Sequence, residues 1–197
     1  MGTSISTLLD RTFGHPRGLL GRIGGSLMAR GNGATELHVV EVARPGAEET
    51  VLVLGPGPGV GLLAAARRSG TVVGVDPSAE MVARCRERCA AAGRAGVELR
   101  TGSAAATGQA SGSVDVLLSV NNVQLWTDRN AGFTEAFRVL GPGGRLVLSA
   151  HERWLPVSRH ELAREAEAAG FTRLQTWVWD PPGRGAGRAA QLRAYRD

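Results

Sequence analysis

The stretch VLVLGPGPGVG, residues 51–61, decides the fold. Four apolar residues run into a loop carrying Gly55, Gly57, Gly59 and Gly61, with Pro56 and Pro58 threaded between them. A Val/Leu run ending in glycines reads as a buried strand entering a tight turn. Glycines at alternate positions free the main chain for close approach, and the helix that follows, GVGLLAAARRSG, presents unpaired N–H groups at its start.

Outward from this loop the chain alternates. TVVGVD (71–76) is a second strand, PSAEMVARCRERCAAAG (77–93) a helix opened by Pro-Ser and closed by Gly, and VELRTG (97–102) a short third strand. SVDVLLSV (113–120) is the fourth strand, TDRNAGFTEAFRVLGPGG (127–144) a helix closed by GPGG, and RLVLSA (145–150) the fifth strand. SRHELAREAEAAG (158–170) is a helix with Ser158 and Glu161 spaced as a capping box. LQTWVW and AAQLRAYR are two last strands, and the turn DPPGRGAGR between them makes them antiparallel neighbours. Strands alternating with helices predict a doubly wound, Rossmann-like α/β sheet, mostly parallel, with helices on both faces. Before the glycine loop, ATELHVVEVARPG (34–46) is an amphipathic helix stopped by Pro45-Gly46, and residues 16–33 show apolar residues at helical spacing interrupted by glycines.

Composition narrows the function. The chain has 197 residues, about one domain, and is 43% hydrophobic, enough for a core. No apolar run approaches the roughly 18 residues of a membrane span, and the N-terminus lacks the basic start and long apolar core of a signal peptide. The net charge is +5 and all 23 basic residues are arginine. They are scattered, with only Arg67 and Arg68 adjacent, and no basic patch is interleaved with aromatics, so no specific nucleic-acid surface is expected. Cys85 and Cys89 lie four apart, on one face of their helix, with no nearby His or Cys to complete a zinc set. No metal site is expected, and a reducing, cytoplasmic location is.

The glycine loop excludes two common readings. A Walker phosphate loop ends in Gly-Lys-Ser/Thr, and this chain has no lysine. The dinucleotide fingerprint needs glycine at its sixth position, which is Val60 or Leu62 here. What remains is Gly55, Gly57 and Gly59 at alternate positions, with Asp76 ending the second strand. A carboxylate there accepts hydrogen bonds from both hydroxyls of a ribose.

At these residues the chain resembles the class I S-adenosylmethionine-dependent methyltransferases, in the small-molecule branch that includes quinone-biosynthesis and phospholipid methyltransferases. VLVLGPGPGVG, VVGVDPSAEMV and FRVLGPGGRLVLS with LAREAEAAGF carry the resemblance, which covers about residues 35–197. It implies a seven-stranded sheet with one antiparallel strand near the edge. It implies S-adenosylmethionine as cofactor, leaving as S-adenosylhomocysteine, held by Gly55, Pro56, Gly57, Gly59, Asp76, Pro77, Met81, Ser103 and Asn121. Two positions depart from the family: Val53 stands where an acid usually precedes the loop, and Ser103 where an acid meets the adenine amine.

The chain divides into an N-terminal helical segment, residues 1–45, which the resemblance reads as a lid and which reads equally as a plain surface arm, and a cofactor-binding domain, residues 46–197. Residues after the fourth and fifth strands overhang the cofactor in this architecture. NNVQLW (121–126) replaces the Asn/Asp-Pro-Pro-aromatic motif of nucleic-acid amino methylators, which favours a small-molecule acceptor, with Gln124 and Trp126 lining its pocket. His151, directly past the fifth strand, is the base candidate; His15, on the lid with Phe13 and Arg17, is the second. His38 and His160 lie within helices and read as structural. Three functions fit: a methyltransferase acting by oxygen, nitrogen or carbon methylation on a small or lipid-like molecule; an RNA or protein methyltransferase; and a non-methylating relative that binds the cofactor. Self-association is compatible with all three.

Overall fold

The computed structural model describes residues 32–94, 97–182 and 187–197. Seven strands form one sheet: β1 (Thr50–Leu54), β2 (Thr71–Asp76), β3 (Glu98–Thr101), β4 (Val114–Val120), β5 (Leu140–His151), β6 (Thr172–Trp179) and β7 (Ala189–Tyr195). Their order is β3-β2-β1-β4-β5-β7-β6. β7 runs antiparallel to both its neighbours, and the other pairings are parallel. The expected sheet, with its single reversed strand beside the edge, is therefore the fold.

Both faces of the sheet are covered, so its central strands are apolar on both sides. Leu52 and Leu54 of β1 join a core with Val73, Leu117, Leu146 and Leu148 beneath α4 (Arg129–Val139) and α5 (Arg159–Ala168). Val51 and Val53 point the other way, into a core with Val116, Leu118 and Val147. That second core is closed by α1 (residues 32–43), α2 (Val60–Ala65) and α3 (Ala79–Ala91), through Val39, Val40, Leu62, Val82 and Cys85. Val53, where an acid was expected, is thus a buried core residue. Residues 1–31, which include most of the lid segment with His15, Phe13 and Arg17, lie outside the described residues.

Local chemistry sets the helix ends. Ser78 Oγ accepts from Met81 N, Asp128 Oδ1 from Ala131 N, and Ser158 Oγ from Glu161 N, so three helices start on side-chain caps. α1 stops ahead of Pro45, with Arg44 in the left-handed region at φ 48°. Arg145 of β5 fastens this end: it donates to the carbonyls of Ala43 (2.6 Å) and Arg44 (2.9 Å) and pairs through two nitrogens with Glu49.

Two expected boundaries move. The helix expected over 127–144 ends at Val139, and Leu140-Gly-Pro-Gly-Gly already belongs to β5. The C-terminal strand supplies the reason: Gly143 N donates to Arg196 O and Arg196 N to Gly144 O. The helix expected to reach Gly70 is a short α2 followed by turns, tied down by Ser69 N to Ala65 O.

Candidate functional site

The carboxyl ends of β1, β2, β4 and β5 converge on one crevice, the place where strand order reverses between β1 and β4. Gly55, Gly57 and Gly59 all have positive φ, at 61°, 50° and 89°, so the loop needs glycine for its conformation at three points. Their surroundings differ. A Cβ on Gly55 would stand 2.5 Å from Asn122 Nδ2, one on Gly59 2.7 Å from Cys85 Sγ, and one on Gly61 3.1 Å from Glu36 Cβ. Of the four, Gly57 is the one whose added Cβ meets nothing within 4 Å among the described residues. Three of the four glycines are therefore crowded by side chains of the described residues, and Gly57 is not. Pro56 is buried, and its ring lies under the loop against Gly74 of β2.

Asp76 ends β2 as a buried carboxylate. Its Oδ1 accepts from Ser78 N at 2.9 Å, which fixes the side chain across the start of α3. Pro77 is exposed beside it and Met81 is buried one turn into α3. Ser103 is exposed just past β3, in a small bridge with Ala106, and Gly102 N donates to Asp76 O, so this turn borders the Asp76 side of the crevice.

The β4 end is a hydrogen-bonded hub. Asn121 sits at φ 53°. Its main-chain N donates to Ser149 O (2.7 Å), and its Oδ1 accepts from His151 N (2.8 Å). Its buried Nδ2 has no partner among the described residues. Asn122 Nδ2 donates to Leu54 O, while its Oδ1 accepts from Ser119 Oγ and from Trp126 Nε1, both at 2.8 Å. Gln124 Nε2 donates to Asn121 O at 3.0 Å. Trp126 packs on Phe133 and against Gly132 of α4, so its indole is a brace for the hub on one edge and core on the other.

His151 is half-buried at the end of β5, with Nε2 3.3 Å from Asn32 Oδ1 at the start of α1. Burial lowers its pKa below the ordinary 6.5, partly opposed by the Gly187 backbone, so the imidazole is neutral at neutral pH. His38 instead stacks on Trp179, rings 4.0 Å apart, and His160 is exposed on α5.

Two residues that the sequence did not single out complete the site. Asn122 braces the loop from below. Glu36 of α1 accepts from Gly61 N at 2.5 Å, and burial raises its carboxyl to about 7. The first turn of α1 thus crosses from the glycine loop to His151. A separate groove, lined by residues such as Arg145, Trp177 and Tyr195, lies toward the other end of β5 and is not this crevice.

These residues suit an adenosyl ligand. Among the described residues, Gly57 leaves room against the main chain, Asp76 offers a carboxylate for ribose hydroxyls, and Asn121 holds a buried donor without a partner. Residues 52–148 match the family model described as a methyltransferase domain. Residues 52–148 are accordingly a methyltransferase domain of the class I, S-adenosylmethionine-dependent kind, with S-adenosylmethionine as its cofactor.

The chain is 38% identical over 104 residues to an arsenite methyltransferase of Halobacterium salinarum, covering 51% of this chain and 27% of the relative. It is 39% identical over 110 residues to a ubiquinone/menaquinone biosynthesis C-methyltransferase of Rubrivivax gelatinosus, covering 55% and 41%. The chain thus spans well under half the length of these curated relatives. In fold it is similar to phosphoethanolamine N-methyltransferase 2 of Haemonchus contortus, with a TM-score of 0.78 at 18% identity, covering 99% of this chain and 60% of that one. Among the described residues, no helix is long and apolar enough to cross a membrane.

Proposed function

We propose that the protein transfers a methyl group from S-adenosylmethionine to a small-molecule acceptor. The observation that carries this is the meeting of Gly57, Asp76, Asn121 and His151 at the carboxyl ends of four adjacent strands. The arsenite, quinone and phosphoethanolamine methyltransferases it resembles are named for small acceptors, which supports the acceptor class.

When bound, S-adenosylmethionine supplies a sulfonium methyl group that an acceptor lone pair takes by in-line displacement. The chain's part is alignment, exclusion of water and handling of a proton. The loop main chain at Gly57 and the Asp76 carboxylate hold the adenosine part. Pro77, Met81 and Ser103 border it. Asn121 places its free Nδ2 toward the amino-acid end, and its Oδ1 fixes the His151 backbone. Neutral His151 takes the acceptor's proton when that acceptor is a hydroxyl or an acidic carbon. Gln124 and Trp126 form the wall on the β4 side. A lid formed by the N-terminal segment, residues 1–45, with His15 as an alternative base, is part of this proposal; within that segment Asn32 Oδ1 lies 3.3 Å from His151 Nε2.

Calorimetry with S-adenosylmethionine, S-adenosylhomocysteine and NAD tests the donor site. Both adenosyl compounds should bind, and Asp76→Ala should weaken them by about 1.5–3 kcal/mol. Binding of NAD without response to either adenosyl compound overturns the assignment. Mass spectrometry of a metabolite extract incubated with protein and methyl-labelled cofactor tests the acceptor class; label appearing only in RNA or protein would refute it.

A further inference from the structure

Glu36 is a half-buried carboxylate set against the donor loop, and the cofactor reading above does not use it. One oxygen is committed: Oε2 accepts from Gly61 N at 2.5 Å. The turn that carries it is the wall of the crevice between the loop and β5. Gly33 packs toward Val60, with 3.9 Å between its built Cβ and Val60 Cγ1, and Asn32 reaches His151. Asp76 marks the other side, at the end of β2, two strands away from β4. A ligand whose ribose lies at Asp76 and whose chain runs toward Asn121 ends beside this turn.

The amino-acid end of an S-adenosyl compound carries an ammonium. Resting on the cofactor assignment above, we propose that Glu36 receives that ammonium, so that α1 supplies the negative charge of the donor site that β1, with Val53 in the core, does not.

The electrostatics agree. A carboxylate taken out of water is costly unless a cation or several donors compensate it. Among the described residues, the charged and titratable groups around Glu36 are Arg88 and Cys85 of α3, with Asp76 beyond Cys85; the facing α2 contributes only main chain and apolar side chains. The Gly61 N–H and Arg88 offset the burial only in part, and the carboxyl is held at about 7. A bound ammonium favours the ionised form, so the ligand drives a proton off Glu36, and affinity rises with pH toward that value.

The test is Glu36→Gln, which keeps an oxygen for the Gly61 N–H, studied by calorimetry with S-adenosylhomocysteine and with 5′-methylthioadenosine, which lacks the amino-acid end. Wild-type affinity for S-adenosylhomocysteine should rise about tenfold from about pH 6 to about pH 8, with proton release. Glu36→Gln should lose about tenfold or more on this ligand at the higher pH, lose the pH dependence, and bind methylthioadenosine as the wild type does. Unchanged binding of S-adenosylhomocysteine, or an equal loss on both ligands, overturns the role of Glu36. Wild-type protein that binds neither ligand overturns the cofactor site itself.

Discussion

The amide of Asn122 fills the space where a Cβ on Gly55 would stand, 2.5 Å from it. The two residues lie 67 positions apart in the chain, yet each fixes the identity of the other. Asn122 cannot swing away freely, because Leu54 O, Ser119 Oγ and Trp126 Nε1 all bind its amide. Gly55→Ala should cost about 1–3 kcal/mol from its left-handed φ alone, and more from the clash. Asn122→Ala strands three groups and should cost a similar amount, about 1–3 kcal/mol. Chemical denaturation of both variants measures this, and a loss under 0.5 kcal/mol for Asn122→Ala, roughly the level of an ordinary surface change, would contradict the brace.

His151→Ala separates chemistry from binding. On a hydroxyl acceptor, turnover should fall by about 100- to 10,000-fold while cofactor affinity holds, since Gly57 and Asp76 are untouched. The lowered pKa sets the sign of the pH dependence: wild-type turnover should rise through a value below the ordinary 6.5 and then level off, and the variant should lack that limb. A pH–rate profile decides. Full activity of His151→Ala would move attention to His15.

Glu135 should act on stability alone. It accepts from Thr107 N (2.9 Å), Thr107 Oγ1 (2.6 Å) and Arg138 Nε (2.7 Å), so it ties α4 to the segment after β3. The Arg138 guanidinium first, then the Thr107 groups, hold its carboxyl at about 2 against an ordinary 4.5. A depressed carboxyl stabilises the fold above its unfolded pKa, and that contribution fades as pH falls from about 4.5 toward 2. Because Arg138 is partly open to solvent, which screens the pair, Glu135→Gln should cost about 1–2 kcal/mol near pH 7, and the gap from wild type should close in acid. Denaturation curves at several pH values check it; a gap independent of pH would contradict the charge pairing.

The strands and most helices were legible because their signals are local. Val51 to Leu54 needs only its own apolar run and glycines, and Ser158 caps Glu161 within one turn. The strand ends that carry Asp76 and His151 were legible on the same local grounds. The error at Leu140-Gly-Pro-Gly-Gly has a remote cause, since Arg196, more than fifty residues on, pairs with Gly143 and Gly144 and draws them into β5. Glu36 and Asn122 were missed for the same reason. In ATELHVV, Glu36 sits among the polar residues of an amphipathic pattern, and nothing nearby in the chain says that it meets Gly61. The spacing of the glycines was read as room for a ligand, whereas Asn122, Cys85 and Glu36 claim most of that room.

The contact between Gly59 and Cys85 gives the loop a built-in reporter. The Cys85 thiol is buried beneath the loop, and burial pushes its pKa up, so at rest it is both shielded and protonated. A maleimide or disulfide reagent can reach it only in the moments when the loop has lifted. The rate of labelling at Cys85, read by peptide mapping apart from that at Cys89, therefore counts openings without any engineered probe. A ligand that clamps the loop should slow that clock, and one that binds elsewhere on the protein should leave it running.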